Sequence, residues 1–242
     1  MGDYPEISSV RRAKYNLLRF LPGRYGRRYQ AKHEEVFLHA ELRKRQAGLA
    51  AEFDAALEKS KGKIAIDLGA NLGVFTSKMA AHASKVFAFE PDPWTCELLR
   101  KNVEGLANVE VIEAAAGDGE GVLPLYRHVG YAKNPEGLSQ SSSILAENRD
   151  IDPQEASAQV RVIDFVDFLR SCNGQVGVLK IDIEGGELAL LKALLDSDVL
   201  ERIDYIFCET HERLMPAAAD DFAALRRKAA GIEHPKINLD WF

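Results

Sequence analysis

The sequence predicts an α/β fold: a doubly wound, mostly parallel sheet with a helical extension at the N-terminus. From Lys63 onward, short apolar runs alternate with amphipathic stretches of about ten residues. Such alternation predicts parallel β-α-β units with helices on both faces of one sheet. Before it, residues 34–59 keep apolar side chains at helical spacing on one face. We therefore divide the chain into a basic arm with an amphipathic helix, residues 1–59, and an α/β domain, residues 60–242.

Each predicted element has a local signal in the sequence. The strands are apolar runs at 64–66, 86–89, 109–112, 178–181 and 205–207, and the helices between them lie at 74–83, 94–103 and 187–195. An insertion separates the third and fourth strands, with strand-like runs at 122–126 and 160–163. Its middle, 130–143, is rich in Gly, Asn, Pro and Ser, which is typical either of an active-site lid or of a surface decoration.

The composition excludes several classes of protein. The chain has 242 residues, of which 46% are hydrophobic and 28% charged, so disordered and fibrous classes are excluded. No run approaches the roughly 18 apolar residues of a membrane span, and the N-terminus lacks the apolar core of a signal peptide. The three cysteines are widely separated, which favours neither a disulfide framework nor a zinc site. We expect a cytoplasmic protein.

Charge is unevenly distributed along the chain. Residues 1–45 carry eleven Lys and Arg against five Asp and Glu, although the whole chain has a net charge of −6. This basic arm could bind an anionic substrate, an acidic membrane surface or nucleic acid. It could equally be a solvated segment whose aromatic residues pack on the acidic body. A nucleic-acid role depends on this patch alone, so we do not favour it.

The most informative segment is Asp-Leu-Gly-Ala-Asn-Leu-Gly, from Asp67 to Gly73. It follows the first strand and opens a helix, which is where doubly wound folds bind nucleotides. Gly69 and Gly73 allow a tight turn and the close approach of a ligand, with Asn71 between them. The spacing G-x-x-x-G differs from the G-x-G-x-x-G of dinucleotide sites. We assign these three residues to cofactor binding.

Charge distinguishes the possible ligands of this turn. Asp67 would repel a pyrophosphate, but it would favour the ammonium and sulfonium charges of S-adenosylmethionine. Glu90 ends the second strand, where a carboxylate can accept both hydroxyls of a ribose. Asp118, placed after the third strand, could accept the adenine amino group. The alternatives are solvated acids at strand ends for Asp67 and Glu90, and an ordinary Gly-Asp-Gly turn for Asp118.

Four motifs at these strand ends together resemble a known family. They are 67–73 with Val-Phe-Thr following, Phe-Glu-Pro-Asp at 89–92, Leu-Lys-Ile-Asp-Ile-Glu-Gly at 179–185 with Glu187, and the serines at 141–143 before Val-Ile-Asp at 162–164. The chain resembles the FkbM family of S-adenosylmethionine-dependent O-methyltransferases over roughly residues 60–215. The resemblance implies a Rossmann-like class I methyltransferase fold, S-adenosylmethionine as cofactor, and methyl transfer to a hydroxyl of a sugar or other natural product.

The acids after the fourth strand are the candidates for acceptor chemistry. Asp182 ends that strand, which should lie beside the first. A carboxylate beside the sulfonium would stabilise the ground state more than the transition state, so we assign Asp182 to the acceptor side as base or orienting group. Glu184 is predicted to line the acceptor pocket. Glu187 is either catalytic or a favourable charge at a helix start. His211, after the fifth strand, is a candidate general base or a plain loop residue.

Several alternatives remain open at this point. Asp182, Glu209 and His211 could together bind Mg²⁺ or Mn²⁺, but no spacing requires a metal and we assign none. A nicotinamide-dependent oxidoreductase is the rival enzyme class, and a non-catalytic module that holds anionic polymers is the rival without chemistry. We expect a small-molecule or glycan acceptor, no nucleic acid and no transmembrane segment. Peripheral membrane contact through the basic arm and the oligomeric state stay open.

Overall fold

The structure is a computed structural model that describes residues 45–128 and 151–241. The chain divides into two compact units, Met1–Asp54 and Ala55–Phe242. Helix α1, residues 45–59, confirms the second part of the predicted amphipathic helix. Residues 34–44, the basic arm and the predicted lid at 130–143 lie outside the described residues. Within the described ranges, no helix is both long and apolar enough to cross a bilayer.

The α/β unit contains the predicted strands and helices with shifted bounds, and it also has helices at 165–171 and 219–230 and strands at 115–117 and 236–238 that were not predicted. The strands are β1 (Ile64–Leu68), β2 (Lys85–Phe89), β3 (Val109–Ile112), β4 (Ala115–Gly117), β5 (Gly121–His128), β6 (Ile151–Asp164), β7 (Val176–Ile181), β8 (Ile203–Cys208) and β9 (Lys236–Asn238). The helices are α2 (Val74–Ala80), α3 (Pro93–Asn102), α4 (Phe165–Ser171), α5 (Glu187–Leu195) and α6 (Ala219–Ala230).

Six strands form the main sheet in the order β3-β2-β1-β7-β8-β9. Every neighbouring pair in it is parallel, which confirms the predicted doubly wound, mostly parallel sheet. The C-terminal tail contributes β9. The strand order reverses between β1 and β7, and a crevice opens beyond the carboxyl ends of strands at such a switch point. The fold therefore brings the turn after β1 and the acids after β7 to the same edge.

A second, three-stranded sheet in the order β4-β6-β5 occupies the insertion. The strand-like runs at 122–126 and 160–163 are confirmed as parts of β5 and β6, which pair antiparallel. The short strand β4 pairs parallel with β6 and was not predicted, because three residues carry too little alternation to signal a strand. This sheet corrects the placement of Asp118, which follows β4 rather than the third strand of the main sheet.

Both faces of the main sheet are covered by apolar side chains. Alternate residues of β1, among them Ile66 and Leu68, pack in a large cluster with buried residues of α4, α5 and α6. Ala88 packs instead with Leu99 of α3 in a smaller cluster, whereas its neighbour Phe89 belongs to the large one. Neighbouring residues of one strand point to opposite faces, so the helices lie on both sides of the sheet. Burial on both faces explains why the strands are continuous apolar runs.

Candidate functional site

A cavity of about 510 Å³ opens at the carboxyl edge of the main sheet. Its volume lies in the range of small-molecule sites. Two groups of residues form much of its wall. The first, called the turn wall, consists of Gly69, Ala70, Asn71 and Glu90, and the second, called the acidic cluster, consists of Asp182, Glu184, Glu209 and His211. Of the nine site residues predicted from the sequence, the cavity wall contains Gly69, Asn71, Glu90, Asp182, Glu184 and His211.

Gly69 brings the backbone of the turn wall against the end of β7. Its φ is +74°, and a Cβ on it would lie 1.7 Å from the carbonyl oxygen of Asp182. The N–H groups of Gly69 and Ala70 both donate to the carbonyl oxygen of Phe89, at 3.0 and 2.9 Å. The turn is thus fixed to the end of β2 on one side and touches β7 on the other. Only glycine fits there, because both the conformation and the space exclude a side chain.

Glu90 is the one acid of the turn wall, and its side chain is held by backbone groups. The N–H of Asn71 donates to Oε2 at 2.9 Å, and the N–H of Asp92 donates to Oε1 at 3.0 Å. Burial raises the pKa of Glu90 to about 7, although these two hydrogen bonds oppose the shift. A carboxylate oxygen can accept two hydrogen bonds, so ionised Glu90 retains capacity to accept ligand hydroxyls.

Gly73 serves helix packing rather than the cavity wall. It caps the start of α2 with φ +86°, and a Cβ on it would lie 2.7 Å from Cδ1 of Leu99 and 3.2 Å from Cγ1 of Val103. Gly73 therefore allows a close approach of the turn to α3, and its predicted part in cofactor binding stays a prediction. Asp118 is exposed and does not belong to the wall, which includes Ala114, Ala115 and Ala116 instead. Its predicted contact with an adenine stays a prediction.

Asp67 lies beneath the turn and is fully buried. Oγ1 of Thr76 donates to its Oδ2 at 2.7 Å, and Nζ of Lys180 lies 3.2 Å from its Oδ1. Its side chain does not belong to the cavity wall. The predicted direct contact between Asp67 and a ligand cation is corrected: the charge is paired with Lys180, because β1 is covered on both faces.

Lys180 joins the turn wall to the acidic cluster. Its Nζ donates to the carbonyl oxygen of Gly69 at 2.9 Å and lies 3.5 Å from Oδ2 of Asp182. Burial opposes the charge of this lysine, but Asp67 and Asp182 more than offset it, so that the pKa of Lys180 is raised. Lys180 is therefore a buried, charged ammonium group that pairs with two acids.

Glu187 orients the histidine of the acidic cluster. This glutamate is fully buried and accepts hydrogen bonds from the N–H groups of Ile183, at 3.1 Å, and Gly185, at 3.0 Å to Oε2. Its Oε1 lies 2.8 Å from Nδ1 of His211. Nε2 of the same ring lies 3.4 Å from Oε2 of Glu184 and 3.8 Å from Oε1 of Glu209. The ring is 3% exposed, so its orientation is fixed by these carboxylates.

The electrostatics of the cluster alter the expected role of His211. Burial opposes its charge, but the hydrogen bond and charge of Glu187, followed by the charge of Glu184, raise the pKa of His211 to about 9. The imidazole is therefore charged at neutral pH, which disfavours one of its two predicted roles, that of a simple general base. Burial raises the pKa of Glu184 to about 7 and also raises the pKa of Glu209, where Asp182 adds to the effect.

Sequence reasoning left the partner of Glu187 open and assigned no role in this site to Lys180 or Arg213. Glu187 holds the ring of His211, Lys180 crosslinks the two walls, and Arg213 adds an exposed guanidinium to the cavity wall. The contact between Glu187 and His211 joins residues 24 positions apart, so no local spacing reveals it. The run Glu-Gly-Gly-Glu at 184–187 is the one signal available, since glycines before a helix favour a turn whose N–H groups need an acceptor.

Comparison with known proteins gives a consistent result. A family model described as the methyltransferase FkbM domain matches residues 67–231. The chain is 27% identical over 211 residues to the hexuronic acid methyltransferase AglP of Haloferax volcanii, covering 86% of this chain and 78% of that protein. It is 27% identical over 192 residues to Methyltransferase 1 of Beauveria bassiana, covering 73% and 74% of the two chains. The crystal structure of methyltransferase FkbM from Methylobacillus flagellatus aligns with a TM-score of 0.35 and 18% identity, over 56% of this chain and 29% of that one.

Proposed function

The chain belongs to the FkbM methyltransferase family, and from this premise we propose that it methylates a hydroxyl of a glycan or other natural product. Family membership implies S-adenosylmethionine as the methyl donor. Family membership also decides against the alternative enzyme class, a nicotinamide-dependent oxidoreductase. The observation that carries the proposal is one cavity with two unlike walls, a backbone turn with a buried glutamate on one side and a cluster of acids on the other.

The turn wall suits the adenosyl part of the donor. Gly69 presents bare backbone, so a ligand can approach without meeting a side chain. Glu90 faces the same space and can accept the two ribose hydroxyls through its two oxygens. Asn71 holds Glu90 in place through its backbone N–H. We assign donor binding to these three residues.

The acidic cluster suits the acceptor hydroxyl. Methyl transfer is an in-line displacement, so the attacking oxygen must be aligned with the methyl carbon and must lose its proton. Asp182 and Glu184 lie on the cavity wall with side chains 30% and 25% exposed, within reach of such a hydroxyl. Their negative charge stabilises the positive character that develops on the attacking oxygen, and we assign Asp182 as the base that accepts the hydroxyl proton when the methyl group leaves the sulfur. His211, held by Glu187, fixes the position of Glu184.

A sugar acceptor is supported by the relative from Haloferax volcanii, which acts on hexuronic acid according to its name. Arg213 on the cavity wall could pair with a carboxylate of such an acidic sugar. The three acids of the cluster would repel that carboxylate from the site of transfer. We therefore propose a hydroxyl of the sugar, rather than its carboxyl group, as the methylated position.

The test is methyl transfer from isotope-labelled S-adenosylmethionine to a panel of glycosides. The panel contains uronic acid glycosides, the same glycosides with the carboxyl reduced to an alcohol, and neutral hexosides. We expect label on a sugar as an alkali-stable ether, detected by mass spectrometry. An alkali-labile ester would overturn the hydroxyl assignment. Absence of label on every sugar, with S-adenosylhomocysteine still bound, would exclude this acceptor class.

A further inference from the structure

We propose that Asp182, Glu184 and His211 form a binding site for a divalent metal ion of the Mn²⁺ or Mg²⁺ class. Each residue offers one ligand atom, and these three atoms lie within 4.8 Å of one another. Two ligands of an octahedral ion at about 2.1 Å lie about 3.0 Å apart when adjacent and about 4.2 Å apart when opposite. Side-chain rotations that bring the three atoms closer by up to about 1.8 Å would therefore complete the coordination.

The histidine of this cluster is oriented as metal-ligating histidines are. A metal-bound imidazole usually donates its other N–H to a carboxylate, which fixes the tautomer and the ring orientation. Glu187 fills that position, 2.8 Å from Nδ1 of His211, and is itself fixed by the N–H groups of Ile183 and Gly185. The other ring nitrogen, Nε2, is left on the side of Glu184 and Glu209. Glu187 is fully buried, so this support for the ring does not depend on the partly exposed acids of the cluster.

The local charge favours a divalent cation. Around Lys180 and the ring of His211 lie five carboxylates, namely Asp67, Asp182, Glu184, Glu187 and Glu209. Metal binding would displace a ring proton of His211, which is charged in the ligand-free protein, and the cations left among the described residues there would be Lys180 and the exposed Arg213 on the cavity wall. A charge of +2 at the cluster would bring this region close to balance. Two carboxylates and an imidazole suit Mn²⁺ and Mg²⁺ better than thiolate-preferring metals.

The site would face the cavity with open coordination positions. Asp182 and Glu184 are partly exposed there, and three protein ligands leave room for water or substrate oxygens on an ion that takes six. The assignment of such an oxygen to the methyl acceptor rests on the proposed function. Metal binding itself does not. The competing occupant of the cluster is the cationic group of the methyl donor.

Metal binding can be measured without any assay of activity. The full chain is stripped with a chelator and titrated with Mn²⁺ by calorimetry and by electron paramagnetic resonance. We expect one Mn²⁺ site, with a pulsed electron paramagnetic resonance spectrum in which the Mn²⁺ electron spin is coupled to one imidazole ¹⁴N. His211→Gln and Glu184→Gln should each weaken Mn²⁺ binding at least about tenfold, and Glu187→Gln by about tenfold through the loss of orientation. Glu97→Gln, an exposed acid of α3 outside the cavity wall, is the matched control and should bind as the native chain does.

Three results would overturn the proposal. The first is no binding at about 1 mM Mn²⁺, the weak end of protein cation sites. The second is bound Mn²⁺ without nitrogen coupling, a measurement on the native chain that does not depend on whether a variant folds. The third is displacement of Mn²⁺ by S-adenosylhomocysteine, which would assign the cluster to the cation of the donor. Absent methyl transfer with intact Mn²⁺ binding would count against the proposed function alone.

Discussion

The turn wall and the acidic cluster face each other across one cavity but are built in different ways. The turn wall depends on backbone: Gly69 sits at φ +74° against the end of β7, and Glu90 is held by two backbone N–H groups. The acidic cluster depends on side chains, and its ring is held by the buried carboxylate of Glu187. One wall is therefore defined by shape and the other by charge.

This difference teaches where each wall is vulnerable. Adding atoms to the turn wall should disturb folding and donor binding together, because the turn is packed against two strands. Removing a charge from the acidic cluster should disturb turnover first, because its acids are partly exposed and their loss leaves no clash. Lys180 touches both walls, so a change there should affect both properties.

The largest expected effect is on the turn wall. Gly69→Ala places a Cβ 1.7 Å from a carbonyl oxygen, in addition to the cost of a positive φ. We expect a loss of unfolding free energy above about 4 kcal/mol, in the range of exceptional single substitutions, and no measurable binding of S-adenosylhomocysteine. Chemical denaturation and calorimetry measure the two effects.

Gly62→Ala is the matched control for that substitution. Gly62 has φ +79°, and a Cβ on it would meet no atom within 4 Å, so this variant carries the conformational cost without the clash. We expect a loss of about 1 kcal/mol, the cost of a left-handed residue. If both variants lost the same stability, the contact between Gly69 and β7 would not define the turn wall.

The next effect tests the link between the two walls. Lys180→Met leaves the buried carboxylate of Asp67 without its cation, which typically costs about 3–5 kcal/mol. Lys63→Met removes a lysine from a partly exposed pair with Asp204, for which we expect about 1 kcal/mol or less. Denaturation of both variants measures the difference. Equal losses would mean that Lys180 does not crosslink the two walls.

The third effect falls on the acidic cluster. Asp182→Asn should lower turnover about 100-fold, as removal of a group that handles a proton commonly does, and should change affinity for S-adenosylhomocysteine by less than about threefold. Steady-state kinetics and calorimetry separate the two quantities. The reverse pattern, weak donor binding with normal turnover, would move Asp182 to the donor side.

The smallest effect is a pH dependence of the turn wall. Burial raises the pKa of Glu90 to about 7 from 4.5, so the folded, ligand-free protein favours the neutral side chain. This preference contributes fully to folding stability below about pH 4.5 and is lost as the pH rises to about 7. Ribose hydroxyls favour the ionised form, so affinity for S-adenosylhomocysteine should increase about tenfold between pH 6 and 8. Glu90→Gln should flatten this increase. An unchanged slope in that variant would assign the titration to another group.

The fold and half of the site were predictable because their signals are local. The apolar runs that became β1, β2, β7 and β8 and the glycine turn at Gly69 can be recognised within a few residues of sequence. The sequence could not show whether the side chain of Asp67 faces a ligand or the protein interior, because both kinds of acid look alike at a strand end. Its ion-pair partner, Lys180, lies more than 100 positions away along the chain. Asp118 was misplaced because the short strand β4 lacks a periodic signal.

The sequence by itself determined the doubly wound sheet, the turn that only glycine can form, and the acids that lie at its carboxyl edge. These follow from continuous apolar runs that are buried on both faces of the sheet and from backbone conformations that one residue type permits. Only the tertiary structure decided which acids face the cavity and which are neutralised beneath it. The pairing of Asp67 with Lys180 and of Glu187 with His211 depends on strand order across the sheet, since charges interact through space and not along the chain.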